Sequence, residues 1–210
     1  MNKIKPSKLT AQIFSYILHP VFLPLYLYVI YLTHFPQDFS SIPHDELIKG
    51  RIWSLVFNTI IYPLFSMFLL WKLNFVKSLE MNDRRERIIP LIILMFFYWW
   101  MFKLYRDFNE HNLFLKDFFF GCFMQTVIAL VLISFINVSL HVLGIAGFLV
   151  AFIVLLIQHH IWNWMMVITA LIIVSIVFWS RLHLKKHSKK ELILALIVGS
   201  VTQLIIFLVL

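Results

Sequence analysis

Residues 142–159 read VLGIAGFLVAFIVLLIQH, a run without a single Asp, Glu, Lys or Arg. A hydrocarbon core of about 30 Å takes about 20 apolar residues of helix to cross, so this stretch has the length and composition of a membrane span. In lipid its backbone must satisfy its own hydrogen bonds, which selects a helix. Working outward, six more stretches obey the same rule: about 11–33, 52–75, 88–105, 117–137, 162–179 and 191–210. The expected fold is all-α, a polytopic transmembrane helical bundle of six to seven spans. It forms one membrane domain over residues 1–210.

Composition agrees. The 210 residues are 61% hydrophobic and 13% charged, with a mean hydropathy of +0.89. Soluble domains carry roughly 45–50% apolar and about 25% charged residues, so this chain lacks the polar surface to cover a water-soluble globule. The start, Met1-Asn2-Lys3-Ile4-Lys5, resembles a signal n-region. The apolar run behind it is too long for a signal peptide and has no small-residue cleavage site, so an uncleaved first span is expected. Pro20 and Pro24 should kink that span. Trp99, Trp100, Trp162 and Trp164 fall near span ends as interfacial anchors. Gly144 and Gly147 have the spacing of a close helix contact. Cys122 is the sole cysteine, so no intrachain disulfide forms.

Three polar clusters interrupt the hydrocarbon: Lys77 to Arg87, Ser139 with His141, and Ser180-Arg181 followed by His187 and Glu191. They follow the second, fourth and sixth spans, so all three surface on the side of the N-terminus. Thirteen of the 18 Lys and Arg residues lie on that side. The positive-inside rule then places it in the cytoplasm. The net charge of +8 speaks for inward-facing loops and anionic headgroups. No nucleic-acid-binding motif is present.

The third cluster reads S-R-x5-H-x3-E. His187 and Glu191 are four apart and share a face if helical. A carboxylate one turn from an imidazole holds the ring and supports charge on it, which makes a histidine a useful nucleophile or base. The last helix begins near here, and its N-terminal amides favour a phosphate. Arg181 offers a planar fork for two phosphate oxygens. His141, at the end of the fourth span, is placed to act as general acid beside an anion. Lys77 and one or two of the arginines make a clamp on negative oxygen. Asn137-Val138-Ser139 fits a glycosylation sequon but lies too close to the membrane to serve as one. His159-His160 point about 100° apart on a helix, with no further ligand nearby and on the opposite face. No metal site and no cofactor is expected.

In order and spacing the clusters resemble the type-two phosphatidic acid phosphatase superfamily, known by K-x6-R-P, P-S-G-H and S-R-x5-H-x3-D. Here the third motif is Ser180, Arg181, His187 and Glu191, with Glu for Asp. The second is Ser139 and His141, with Val138 for Pro and Leu140 for Gly. In the first, Lys77 and Arg84 keep the spacing, while Arg87 is the arginine nearest Pro90. The likeness covers residues 77–198. Glu86-Arg87-Ile88-Ile89-Pro90, together with His19-Pro20, looks like a compact bacterial branch of the family.

The resemblance implies a metal-independent hydrolase of a lipid phosphate or diphosphate in a bacterial cytoplasmic membrane. By it, His187 attacks phosphorus to form a phosphohistidine, Glu191 orients His187, and His141 protonates the leaving group. Lys77, Arg84 or Arg87, and Arg181 hold the phosphoryl oxygens, and Ser139 adds a hydrogen bond. The alternative is a catalytically inactive relative that binds anionic lipid or a protein partner through the same basic face. A transporter would need ionisable groups near mid-bilayer, and the spans are nearly free of them.

Overall fold

The structure is a computed structural model that describes residues 6–77, 83–108 and 113–210. Ser78–Asn82 of the first cluster, and Lys3 and Lys5, lie outside the described residues. Among the described residues every regular element is helical. Seven stretches are long and apolar enough to cross a membrane: Ser7–His34, Lys49–Lys72, Arg85–Asp107, Phe114–Leu132, Leu140–Gln158, Trp164–His183 and Lys189–Val209. The protein is an all-α polytopic bundle, and an integral membrane protein by its helices.

The first span does more than kink. It breaks into α1 (Pro6–Ile17) and α2 (Leu23–His34), joined through a 3-10 turn at Pro20–Phe22. Pro20 has no N–H to give the Tyr16 carbonyl, and its ring crowds that carbonyl. The residue before a proline avoids the helical region, and His19 is extended at φ −68°, ψ 137°. Tyr16 O accepts the His19 N–H instead, at 3.3 Å. Carbonyls of the last α1 turn are thereby released to other donors. Tyr26 Oη donates to Ile17 O at 2.9 Å.

The second span combines a π-helical turn (Glu46–Ile52), α3 (Trp53–Val56), a second π turn (Phe57–Ile61) and α4 (Tyr62–Lys72). The second widening comes just before Pro63, which removes one i→i−4 bond. The remaining spans are α5 (Ile88–Asp107), α6 (Phe114–Leu132), α7 (Leu140–Gln158), α8 (Trp164–His183) and α9 (Lys189–Val209).

α7 is the axis of the bundle, packing on α2, α6, α8 and α9. Lipid tails are as apolar as leucine, so helices in a membrane associate through close packing and polar contacts. A Cβ at Gly199 of α9 would overlap the Leu143 carbonyl of α7, so only glycine lets these backbones approach. Gly147 leaves its side-chain space to the Gln125 amide. Gln125 Nε2 in turn donates to Gln203 Oε1 at 3.0 Å, tying α6 to α9 inside the bundle. Gly147 is a helix contact as its spacing suggested. Gly144 instead abuts Pro20 and faces a cavity.

The end of the bundle away from the three clusters is tied shut. His159 Nε2 lies 2.8 Å from Asp38 Oδ2, which also accepts from Tyr31 Oη at 2.5 Å. Arg51 is buried, 3.2 Å from Glu46 and 3.4 Å above the Phe108 ring. His159 is engaged as a cross-link between the loop after α2 and the end of α7.

Candidate functional site

At the other end, four chain segments meet. α6 stops at Leu132, short of the expected residue 137, and residues 133–139 turn and then extend. Ser134, Asn137 and Ser139 are residues that compete with helix through their own side-chain hydrogen bonds. The loop is pinned from two sides. Arg84 Nη1 donates to Phe135 O at 3.1 Å, and Arg87 Nη1 donates to Asn137 Oδ1 at 2.8 Å. His187 Nδ1 lies 2.9 Å from Asn137 O. Asn137 therefore joins the first and third clusters, its side chain serving one and its backbone the other.

Ser180 and Arg181 sit in the last turn of α8. Lys185 adopts a left-handed φ of 54°, which turns the chain back towards α9. Ser188 caps α9 through a capping box. Ser188 Oγ accepts from Glu191 N at 3.4 Å, and Glu191 Oε2 accepts from Ser188 N at 2.8 Å. His187 precedes the cap rather than sharing the helix face with Glu191. Glu191 Oε2 still stands 3.6 Å from His187 Nδ1. Two amides at the start of α9 are thus taken by the cap. The first turn of α7, beside His141, has no side-chain cap.

The chemistry of His187 follows from these partners. Asn137 O accepts at 2.9 Å and the Glu191 carboxylate stands 3.6 Å away, so Nδ1 carries the proton and Nε2 keeps its lone pair. Burial, then the Arg181 and Arg87 guanidiniums, lower the imidazole from 6.5 to about 4, against the Asn137 carbonyl and the Glu191 carboxylate. His187 is a neutral base at pH 7. Nearby cations disfavour the imidazolium, so replacing Arg181 with Gln should move the His187 titration upward from about 4 towards 6.5. Ring-nitrogen NMR across the acid range reads this directly. An unmoved midpoint would break the electrostatic link.

A cavity of about 740 Å³ collects these groups. Arg87, His141, Arg181 and His187 line it, with Lys8, Ser15, His19 and Lys186. From Arg87 its wall follows α5 through Leu91 and Leu94 to Tyr98. That is about 16 Å at 1.5 Å per residue, roughly half the thickness of a ~30 Å hydrocarbon core. The deep walls are mostly apolar, from Pro63, Met67, Phe118 and Phe148, with Gln125 and Thr126 as polar exceptions. Tyr16, Leu64 and Phe68 line the cavity and are also exposed on the outside of the bundle.

Four of the eight sequence-predicted residues thus share one chamber. Lys77 and Arg84 are exposed and are not among its walls; Arg84 braces the 133–139 loop. Ser139 is fully buried and is not among the chamber's walls, and its Oγ makes no hydrogen bond among the described residues. Glu191 borders His187 from behind, as part of the cap.

Sequence reasoning did not find Ser15 and Asn137. Ser15 Oγ accepts from Arg181 Nη1 at 2.8 Å, and Ser180 Oγ donates to Ala11 O at 2.6 Å. Both contacts join the first span to the sixth. The signal for Asn137 was its place in the polar stretch after the fourth span. No hydropathy pattern marks Ser15.

Compared with known proteins, the chain matches no protein-family model, no curated protein and no solved structure.

Proposed function

We propose that this protein is an integral membrane phosphatase that hydrolyses a lipid phosphate or diphosphate through a phosphohistidine. The observation that carries the reading is a single chamber with two arginines and three histidines at one end and a mostly apolar shaft behind them. Charge complementarity selects an anionic head of phosphate type. The shaft suits one hydrocarbon chain about a leaflet deep. The cations that outnumber acids at this end favour the cytoplasmic side of a bacterial inner membrane. The spacing of Ser180, Arg181, His187 and Glu191 supports membership of the type-two phosphatidic acid phosphatase superfamily.

Each step uses groups already in place. Phosphoryl transfer is mostly positioning and charge stabilisation. Arg87 and Arg181 hold non-bridging oxygens, and each is steadied by its own partner, Asn137 Oδ1 and Ser15 Oγ. The Nε2 lone pair of His187 attacks phosphorus, and the bond from phosphorus to the lipid oxygen breaks. His141, neutral at rest, takes up a proton when the negative phosphate arrives and passes it to the leaving oxygen. Water then attacks the phosphohistidine, its proton returns to His141, and the N–P bond opens to release phosphate. Glu191 and the Asn137 carbonyl support the positive charge that develops on His187.

The test is phosphate release by the protein in nanodiscs. Long-chain lipid phosphates and diphosphates should turn over, and short water-soluble phosphomonoesters far more slowly. If no substrate releases phosphate above empty nanodiscs, the enzyme reading is wrong. Lipid-phosphate binding that weakens steeply with salt but leads to no turnover would instead identify a non-catalytic binder of anionic lipid.

A further inference from the structure

We infer that His19 is a positioning residue for His141, and that the broken first helix forms a working wall of the site. Its kinetic consequence rests on the hydrolase reading above. Ala11, Ser15 and His19 are spaced four apart and fall on one side of the segment. Each touches a motif residue. Ala11 O accepts from Ser180 Oγ at 2.6 Å, and Ser15 Oγ accepts from Arg181 Nη1 at 2.8 Å. The Ser15 backbone lies beside the His141 imidazole. The His19 ring stands edge-to-face against the His141 ring, with centroids 4.8 Å apart and planes at 85°. All but Ala11 of these first-span residues line the chamber, together with Lys8 and Gln12.

The break explains how a first-span backbone group becomes available. Because Pro20 ends α1, the His19 N–H turns to Tyr16 O, and the Ser15 carbonyl beside His141 loses its helical donor. His19 also caps the 3-10 turn, its Nδ1 accepting from Val21 N at 3.3 Å. A neutral His19 therefore carries its proton on Nε2. Capping alone does not account for a histidine here. Asn, Asp, Ser and Thr are the preferred caps. What the imidazole adds is a ring that reaches His141. Held between the Ser15 backbone and the His19 ring, His141 keeps one tautomer and one orientation towards the chamber.

Two substitutions separate the roles. His19→Asn keeps a cap acceptor and removes the ring; His19→Phe keeps a ring and removes the acceptor. For His19→Asn we expect an unchanged thermal midpoint in detergent, a KM within about threefold and a kcat lowered about ten- to a hundredfold, the scale of a misplaced catalytic group. His19→Phe should lose less kcat than His19→Asn. Ring-nitrogen NMR of His141 should change from one tautomer in the wild type to a mixture in His19→Asn. A wild-type kcat with a single His141 tautomer in His19→Asn overturns the assignment. So does a loss of kcat that tracks thermal destabilisation equally in both variants. Should the wild type release no phosphate at all, the hydrolase reading fails, while the tautomer measurement still decides what His19 does.

Discussion

His187→Ala should lower phosphate release about ten-thousandfold, the scale seen when a nucleophile is removed from a concerted set of catalytic groups. Among the described residues the geometry leaves no second group to take its place. The proton on Nδ1 is fixed by Asn137 O at 2.9 Å and by the Glu191 carboxylate at 3.6 Å, which aims the lone pair of Nε2 away from both. His141 is packed edge-to-face against the His19 ring. Substrate binding should change only a few-fold in this variant, because Arg87 and Arg181 remain. An acid-labile phosphoenzyme, trapped by rapid quench in the wild type, should be missing from the variant. A rate within tenfold of the wild type would remove His187 from the chemistry.

Arg181→Ala should cost about a hundred- to a thousandfold in kcat/KM, the usual loss when one preorganised donor to a developing anion is deleted. Arg181 leaves the end of α8 and is held by Ser15 Oγ at 2.8 Å, so its orientation is set before any phosphate arrives. Arg181→Lys restores a charge but not the planar fork, and should recover only part of the loss. Thermal unfolding of both variants checks that the cost is chemical. Equal kcat/KM for Arg181→Lys and wild type would mean that charge alone suffices at this position.

The seven spans were legible because hydropathy over a bilayer thickness is a strong signal, and Leu140–Gln158 carries it without interruption. Their ends were less so. Ile133, Phe135 and Ile136 are apolar and read as span, yet they form the loop that presents Asn137. Phe135 is 75% exposed there, beside the hydrogen bonds that Arg84 and Arg87 donate to the loop. Charge clusters located the working end of the molecule. They did not say which cations face inward, because that depends on helix rotation. Arg87 is buried and Arg84 exposed, three residues apart. The contribution of Ser15 was invisible for the same reason. One hydroxyl in a long apolar segment has no pattern until the segment's neighbours are known.

The bonds from Ser180 to Ala11 and from Arg181 to Ser15 join positions 169 and 166 residues apart. During synthesis the first hairpins enter the bilayer long before α8 exists. A nascent chain must hold Ser15 and His19 without their eventual partners until insertion is nearly finished. A fragment lacking the last two spans would leave Ser15 without its Arg181 partner. The pocket is therefore closed only once the sixth span is in place.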